Sequence, residues 1–181
     1  MSNLDNVVER VAISREELSD KVKELGKKIT EDYQGKDLVL ICVLRGAIVF
    51  FSDLLRQIDL PVTIDTLAAS SYGNSSVSSG KVIIEKDISV DIQGKHVLII
   101  EDIIDSGYTM NSVVDMLKSR SPASVKICAL LDKPSRRQVD IKGDYVAYTV
   151  GDEFVAGYGL DYAQLYRNLP DICVLKESVY R

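Results

Sequence analysis

Three runs constrain this chain most: "LVLICVL" at 38–44, "VLII" at 97–100 and "ICALL" at 127–131. A strand with one wet face alternates apolar and polar side chains. Unbroken apolar runs of this kind belong to strands buried on both faces. Between the runs the period changes. "SREE" at 14–17 is a capping-box pattern, and Leu18, Val22, Leu25 and Ile29 follow at helical spacing, which predicts a helix over 15–33. Ala47, Phe50, Phe51, Leu54, Leu55 and Ile58 mark a second helical face, and Met110, Val113, Val114 and Leu117 a third. Strands alternating with helices predict an α/β fold: a mostly parallel twisted sheet flanked by helices.

Shorter strands are predicted in "VERVAIS", "LPVTIDTLAAS", "KVIIEKDI", "YVAYTVG" and "DICVLKES". The polar, glycine-rich "SSYGNSSVSSG" at 70–80 is a loop of unusual length. No linker or repeat divides the chain, so residues 1–181 are expected to form one domain. The net charge of −5 and a pI near 5.0 argue against nucleic acid as the main partner. Cys42, Cys128 and Cys173 lie apart in apolar runs, with neither zinc-ligand spacing nor an even count for a disulfide framework. They read as buried thiols in a reducing compartment. No apolar run approaches a membrane span, and "MSNLDNVVER" lacks the basic start and apolar core of a signal peptide. A cytoplasmic protein is expected.

The chemistry concentrates in "VLIIEDIIDSGYTM" at 97–110, where a core strand delivers Glu101, Asp102 and Asp105 to one place. At ~5 Å and an effective dielectric of ~20, each pair of carboxylates repels by roughly 3 kcal/mol. A cation, hydrogen-bond donors or water must offset that. Asp105-Ser106-Gly107-Tyr108-Thr109 then precedes a helix. Its backbone N–H groups, permissive glycine and hydroxyls could cradle a phosphate. The same residues also fit a solvated turn followed by a helix cap. Neither a Walker loop nor a GxGxxG fingerprint is present.

With four further segments, this stretch resembles the type I phosphoribosyltransferases, in particular the hypoxanthine-guanine phosphoribosyltransferases. The segments are "VLRG" at 43–46, "SSY" at 70–72, "LLDK" at 130–133 and "DEFVAGYGLDYAQLYR" at 152–167, in the family's order. The resemblance implies that fold, with a small hood from the chain ends. Residues 150–181 would contribute to a purine-binding hood, and 70–82 would be a mobile lid carrying Ser71 and Tyr72. The implied reaction transfers the 5-phosphoribosyl group of 5-phosphoribosyl 1-pyrophosphate to N9 of hypoxanthine or guanine, giving IMP or GMP and pyrophosphate. Mg²⁺ is the implied cofactor.

Residue roles follow from the same resemblance. Asp105, Ser106, Gly107, Tyr108 and Thr109 would hold the 5′-phosphate, Tyr108 through its backbone alone. Glu101 and Asp102 would face the ribose hydroxyls and a Mg²⁺ ion, and Asp105 would act at purine N7 as general base or acid. Leu44, Arg45 and Gly46 would bind pyrophosphate, with a cis peptide before Arg45, and Arg167 would join them. Lys133 would donate to the purine O6, favouring a 6-oxopurine over adenine. Phe154 would stack on the purine, the Val155 backbone would read its edge, and Asp161 would hold a second Mg²⁺ there. Glu153 departs from the basic residue some members carry, which leaves guanine against xanthine open. His96 reads as structural. A homodimer or homotetramer is expected, with the Arg45 segment near a subunit contact. A xanthine-preferring enzyme and a nucleotide-sensing regulator on the same fold are the alternatives.

Overall fold

A computed structural model describes residues 6–71 and 82–180. Among these residues, six strands form the main sheet in the order β4-β3-β2-β5-β6-β7. These are β2 (Leu38–Leu44), β3 (Val62–Ser71), β4 (Val82–Lys86), β5 (His96–Ile104), β6 (Ser124–Asp132) and β7 (Tyr145–Thr149). All neighbours run parallel except β4, an antiparallel edge on β3. The three unbroken runs are its central strands, and alternation explains them. Leu38, Leu40 and Cys42 enter the core under α1 (Arg15–Asp32) and α2 (Ile48–Leu55). Val39, Ile41 and Val43 enter the second core, under α3 (Tyr108–Lys118). On β5, Leu98 and Ile100 face the first core while Val97 and Ile99 face the second. Neither face meets water, so neither can carry a polar set.

The capping box at the start of α1 is complete. Ser14 Oγ accepts from Glu17 N at 3.3 Å, and Ser14 N donates to Glu17 Oε2 at 2.9 Å. The second helical face overruns its helix, since α2 stops at Leu55 while the buried Ile58 follows in a turn. A smaller antiparallel sheet joins the two ends of the chain: β1 (Val8–Ile13) pairs with β9 (Ile172–Leu175), which pairs with β8 (Val155–Ala156). The short α4 (Glu177–Tyr180) follows. All three cysteines are buried free thiols. Burial pushes Cys42 up to about 12, which disfavours its thiolate. Among the described residues no helix is long and apolar enough to cross a membrane. Tyr72 and the lid expected at 70–82 lie outside the described residues, save Ser70, the Ser71 backbone and Val82 at the flanking strand ends.

Asp65 on β3 ties the edge of the sheet together. Its Oδ1 accepts from Thr66 N at 2.7 Å, and its Oδ2 from Ser89 N at 2.6 Å, Ser89 Oγ at 3.0 Å and Val90 N at 3.0 Å. Burial alone would raise this carboxyl. The donors of Ser89, Thr66 and Val90 outweigh burial and hold it well below the usual carboxylate range.

Candidate active site

The carboxyl ends of β2, β5 and β6 converge with the second sheet, where ligands of open α/β sheets bind. β5 runs two residues past Asp102, because Ile103 and Ile104 still pair with Leu131 and Asp132 of β6. Glu101 is 8% exposed, and its Oε2 has no hydrogen-bond partner among the described residues. Burial first, then the neighbouring Asp102 charge, pushes the Glu101 carboxyl well above its ordinary value. Burial also raises Asp102, against the pull of the Ile103 N–H at 2.8 Å. A buried carboxyl beside a half-buried one suits a metal ion or sugar hydroxyls, and the orphaned Glu101 oxygen fits the expected Mg²⁺ ligand.

The turn expected to hold phosphate follows. Gly107 sits at φ +90° before α3 with no side-chain cap. A Cβ there would also lie 2.7 Å from Ile141 Cγ2 and 2.9 Å from Arg137 Cδ, so glycine is required twice over. The first N–H groups of α3 have no intrahelical acceptor. They border a 70 Å³ cavity walled by Glu101, Asp105, Ser106, Gly107, Thr109 and Met110. That is about twice the ~30 Å³ share of a liquid water molecule, room for a small oxyanion. Asp105 Oδ1 is a second buried oxygen without a hydrogen bond; Arg136 Nε approaches it at 3.2 Å as an ion pair, outside hydrogen-bond alignment.

On one side stand the arginines. The Leu44–Arg45 peptide is cis. Gly46 is pressed against the acids: a Cβ there would sit 1.6 Å from Asp102 Oδ2. Arg45 and Arg167 each donate to Gln164 Oε1 at 3.1 Å. Arg167 also donates to Gly159 O at 2.7 Å and pairs with Asp161 at 2.6 Å. The second Asp161 oxygen accepts from Gln164 N at 2.8 Å. Asp161 is therefore held by Arg167 and Gln164. Among the described residues no three acids, histidines or cysteines gather as a metal cage.

On the other side, Lys133 directly follows β6 and is 5% exposed. Burial lowers its pKa, and its Nζ donates to Glu153 O at 2.9 Å. Phe154 is half-exposed and meets Tyr162 edge-on, ring centroids 5.4 Å apart. Val155 opens β8. The Glu153 carboxylate turns to Arg10 on β1. His96 is structural: its Nδ1 lies 2.7 Å from Ser124 Oγ, and Tyr33 meets its ring edge-on. Gln164, Tyr162, Arg136 and Arg137 escaped the sequence reading. The only signal was position, inside or just after the segments already singled out.

A family model for the phosphoribosyl transferase domain matches residues 14–163. The hypoxanthine-guanine phosphoribosyltransferase of Bacillus subtilis is 53% identical over 173 residues, 96% of each chain. The bifunctional protein TilS/HprT of Listeria monocytogenes is 48% identical over 178 residues, which is 98% of this chain but 28% of that protein. The chain thus spans about a quarter of such bifunctional relatives. The crystal structure of a hypoxanthine phosphoribosyltransferase from Staphylococcus aureus superposes with a TM-score of 0.96 at 47% identity, covering 99% of this chain and 98% of that one. The chain belongs to the phosphoribosyltransferase family, within its hypoxanthine-guanine branch.

Proposed function

We propose that the chain transfers the 5-phosphoribosyl group from 5-phosphoribosyl 1-pyrophosphate to N9 of hypoxanthine or guanine, in the cytoplasm and as a homo-oligomer. The observation that carries this reading is the pair of buried, undonated oxygens, Glu101 Oε2 and Asp105 Oδ1, bordering a small cavity at the start of α3. Acid oxygens left without hydrogen bonds beside a small cavity suit a ligand that combines a phosphate with hydroxyls and a metal.

Each residue then has a physical task. N–H groups of residues 105–109 and the hydroxyls of Ser106 and Thr109 hold the 5′-phosphate. Arg45 and Arg167, already side by side on Gln164, receive pyrophosphate. Lys133 gives one of its three donors to Glu153 O and keeps two for the purine O6. Phe154 supplies an exposed ring for the purine face, and the Val155 backbone its edge. Asp105 holds or moves the proton at purine N7. Glu101 and Asp102 would hold Mg²⁺, which when bound neutralises charge on the departing pyrophosphate.

The test is to incubate the protein with Mg²⁺ and 5-phosphoribosyl 1-pyrophosphate. Hypoxanthine, guanine, xanthine and adenine go in separate tubes, with nucleotides read by chromatography. IMP or GMP is expected. XMP as main product would change the base preference and keep the mechanism, whereas product from none of the four would overturn the reading.

A further inference from the structure

Arg137 has no assigned role in binding or chemistry, yet few side chains are tied down as tightly. It lies just beyond the 3₁₀ turn Pro134–Arg136, and its side chain is 14% exposed. Its guanidinium donates to Asp105 O at 3.0 Å and Ile104 O at 3.2 Å, and also to Ile141 O and the Asp132 carboxylate. Two backbone donors of the same segment extend the pattern. Lys133 N reaches Ile104 O at 3.0 Å, and Gln138 N reaches Ser106 O at 2.9 Å. Three consecutive carbonyls of the phosphate loop, at 104, 105 and 106, are therefore all held by residues 133–138. The Arg137 stem also packs under the loop, where a Cβ on Gly107 would meet its Cδ at 2.9 Å.

Peptide geometry turns this clamp into a statement about the site. In a planar trans peptide the C=O of one residue and the N–H of the next point in opposite directions. Drawing the carbonyls of Ile104, Asp105 and Ser106 back toward Arg137 and Gln138 turns the N–H groups of Asp105, Ser106 and Gly107 the other way. We propose that Arg137 is a positioning residue that orients the N–H array of the phosphate loop from behind and fixes its register against Lys133, the first residue of the clamping segment. This rests on residues 105–109 being the phosphate cradle. The planar five-donor fork suits the task, because it reaches two adjacent carbonyls and a carboxylate at once. A lysine ammonium has the charge without the fork.

The experiment compares wild type with Arg137→Gln, Arg137→Lys and Arg137→Ala. Calorimetry measures ribose 5-phosphate, ribose and pyrophosphate binding, and steady-state kinetics follow. Both Gln and Lys variants should bind ribose 5-phosphate about tenfold or more weakly, with pyrophosphate within about twofold of wild type, a loss sized to charge-assisted hydrogen bonds. The preference for ribose 5-phosphate over ribose should shrink in parallel, and KM for the sugar diphosphate should rise more than KM for the purine. Millimolar guanidinium should restore part of the loss in Arg137→Ala and do nothing for wild type. Equal weakening of both anions, or wild-type ribose 5-phosphate binding in the Gln variant, would overturn the proposal. If Arg137→Ala fails to fold, the Lys variant still decides. Purine turnover by wild type tests the proposed function separately. A wild type that cannot tell ribose 5-phosphate from ribose would overturn the cradle, and this proposal with it.

Discussion

Asp65 on β3 and the acids at the end of β5 are carboxyl sites of one sheet with opposite electrostatics. Asp65 is surrounded by three backbone N–H groups and a hydroxyl, and its carboxyl is held below the usual range. Glu101 and Asp105 each keep a buried oxygen without a hydrogen bond, and Glu101 is pushed the other way. A buried acid supplied with donors is a staple for the fold. A buried acid oxygen denied them is costly to the fold, a cost that suits a ligand-binding site.

The comparison breaks most visibly at Asp105. Asp105→Ala should lower turnover by about 10²–10⁴-fold, the usual worth of positioned proton transfer, while thermal melting stays near that of wild type. Near-normal turnover would take Asp105 off the proton path. Asp65→Ala should do the converse. Stranding the N–H groups of Thr66, Ser89 and Val90 should cost roughly 2–4 kcal/mol in urea unfolding, with activity per folded molecule unchanged. An unshifted midpoint would mean the carboxylate is no staple.

The smallest effect is the sharpest test of sign. The Glu101 carboxyl is raised on folding, so its contribution is fully present below the unfolded value of ~4.3 and is lost as pH rises through the folded value. Glu101→Gln should therefore stabilise the unliganded protein at neutral pH, an advantage that fades on acidification. Mg²⁺ should stabilise wild type and leave this variant behind. Asp65 runs oppositely, its contribution being present above about pH 4 and lost as pH falls. Parallel pH profiles for Glu101→Gln and Asp65→Asn would dissolve the distinction.

Legibility follows the range of the interactions. β2, β5 and β6 stood out because both faces are buried, and α1 because its capping box is local. The acids and Gly107 were legible because one strand and one turn carry them together. Arg136, Arg137 and Gln164 were not, since their residue types in polar turns look the same whether they meet water or a distant carbonyl. In 161–167 the backbone itself hides the answer. Ala163, Gln164 and Tyr166 have φ values of 49°, 68° and 71°, a conformation non-glycine residues adopt at a cost and that no residue type there announces. That bend brings Gln164 between the two arginines.

The pairing of β1 with β9 also sets a timetable for the chain. Val8 lies opposite Leu175 and Ile13 opposite Ile172, so ~160 residues must be made between the two halves of one small sheet. At typical rates of about 5–20 residues per second, β1 waits on the order of ten to thirty seconds for its partner. The strands that carry the acids and the 105–109 loop emerge well before then, while Phe154 and Val155 enter beside a sheet that does not yet exist. On the proposed function, a nascent chain therefore presents its anion cradle first and its purine face last.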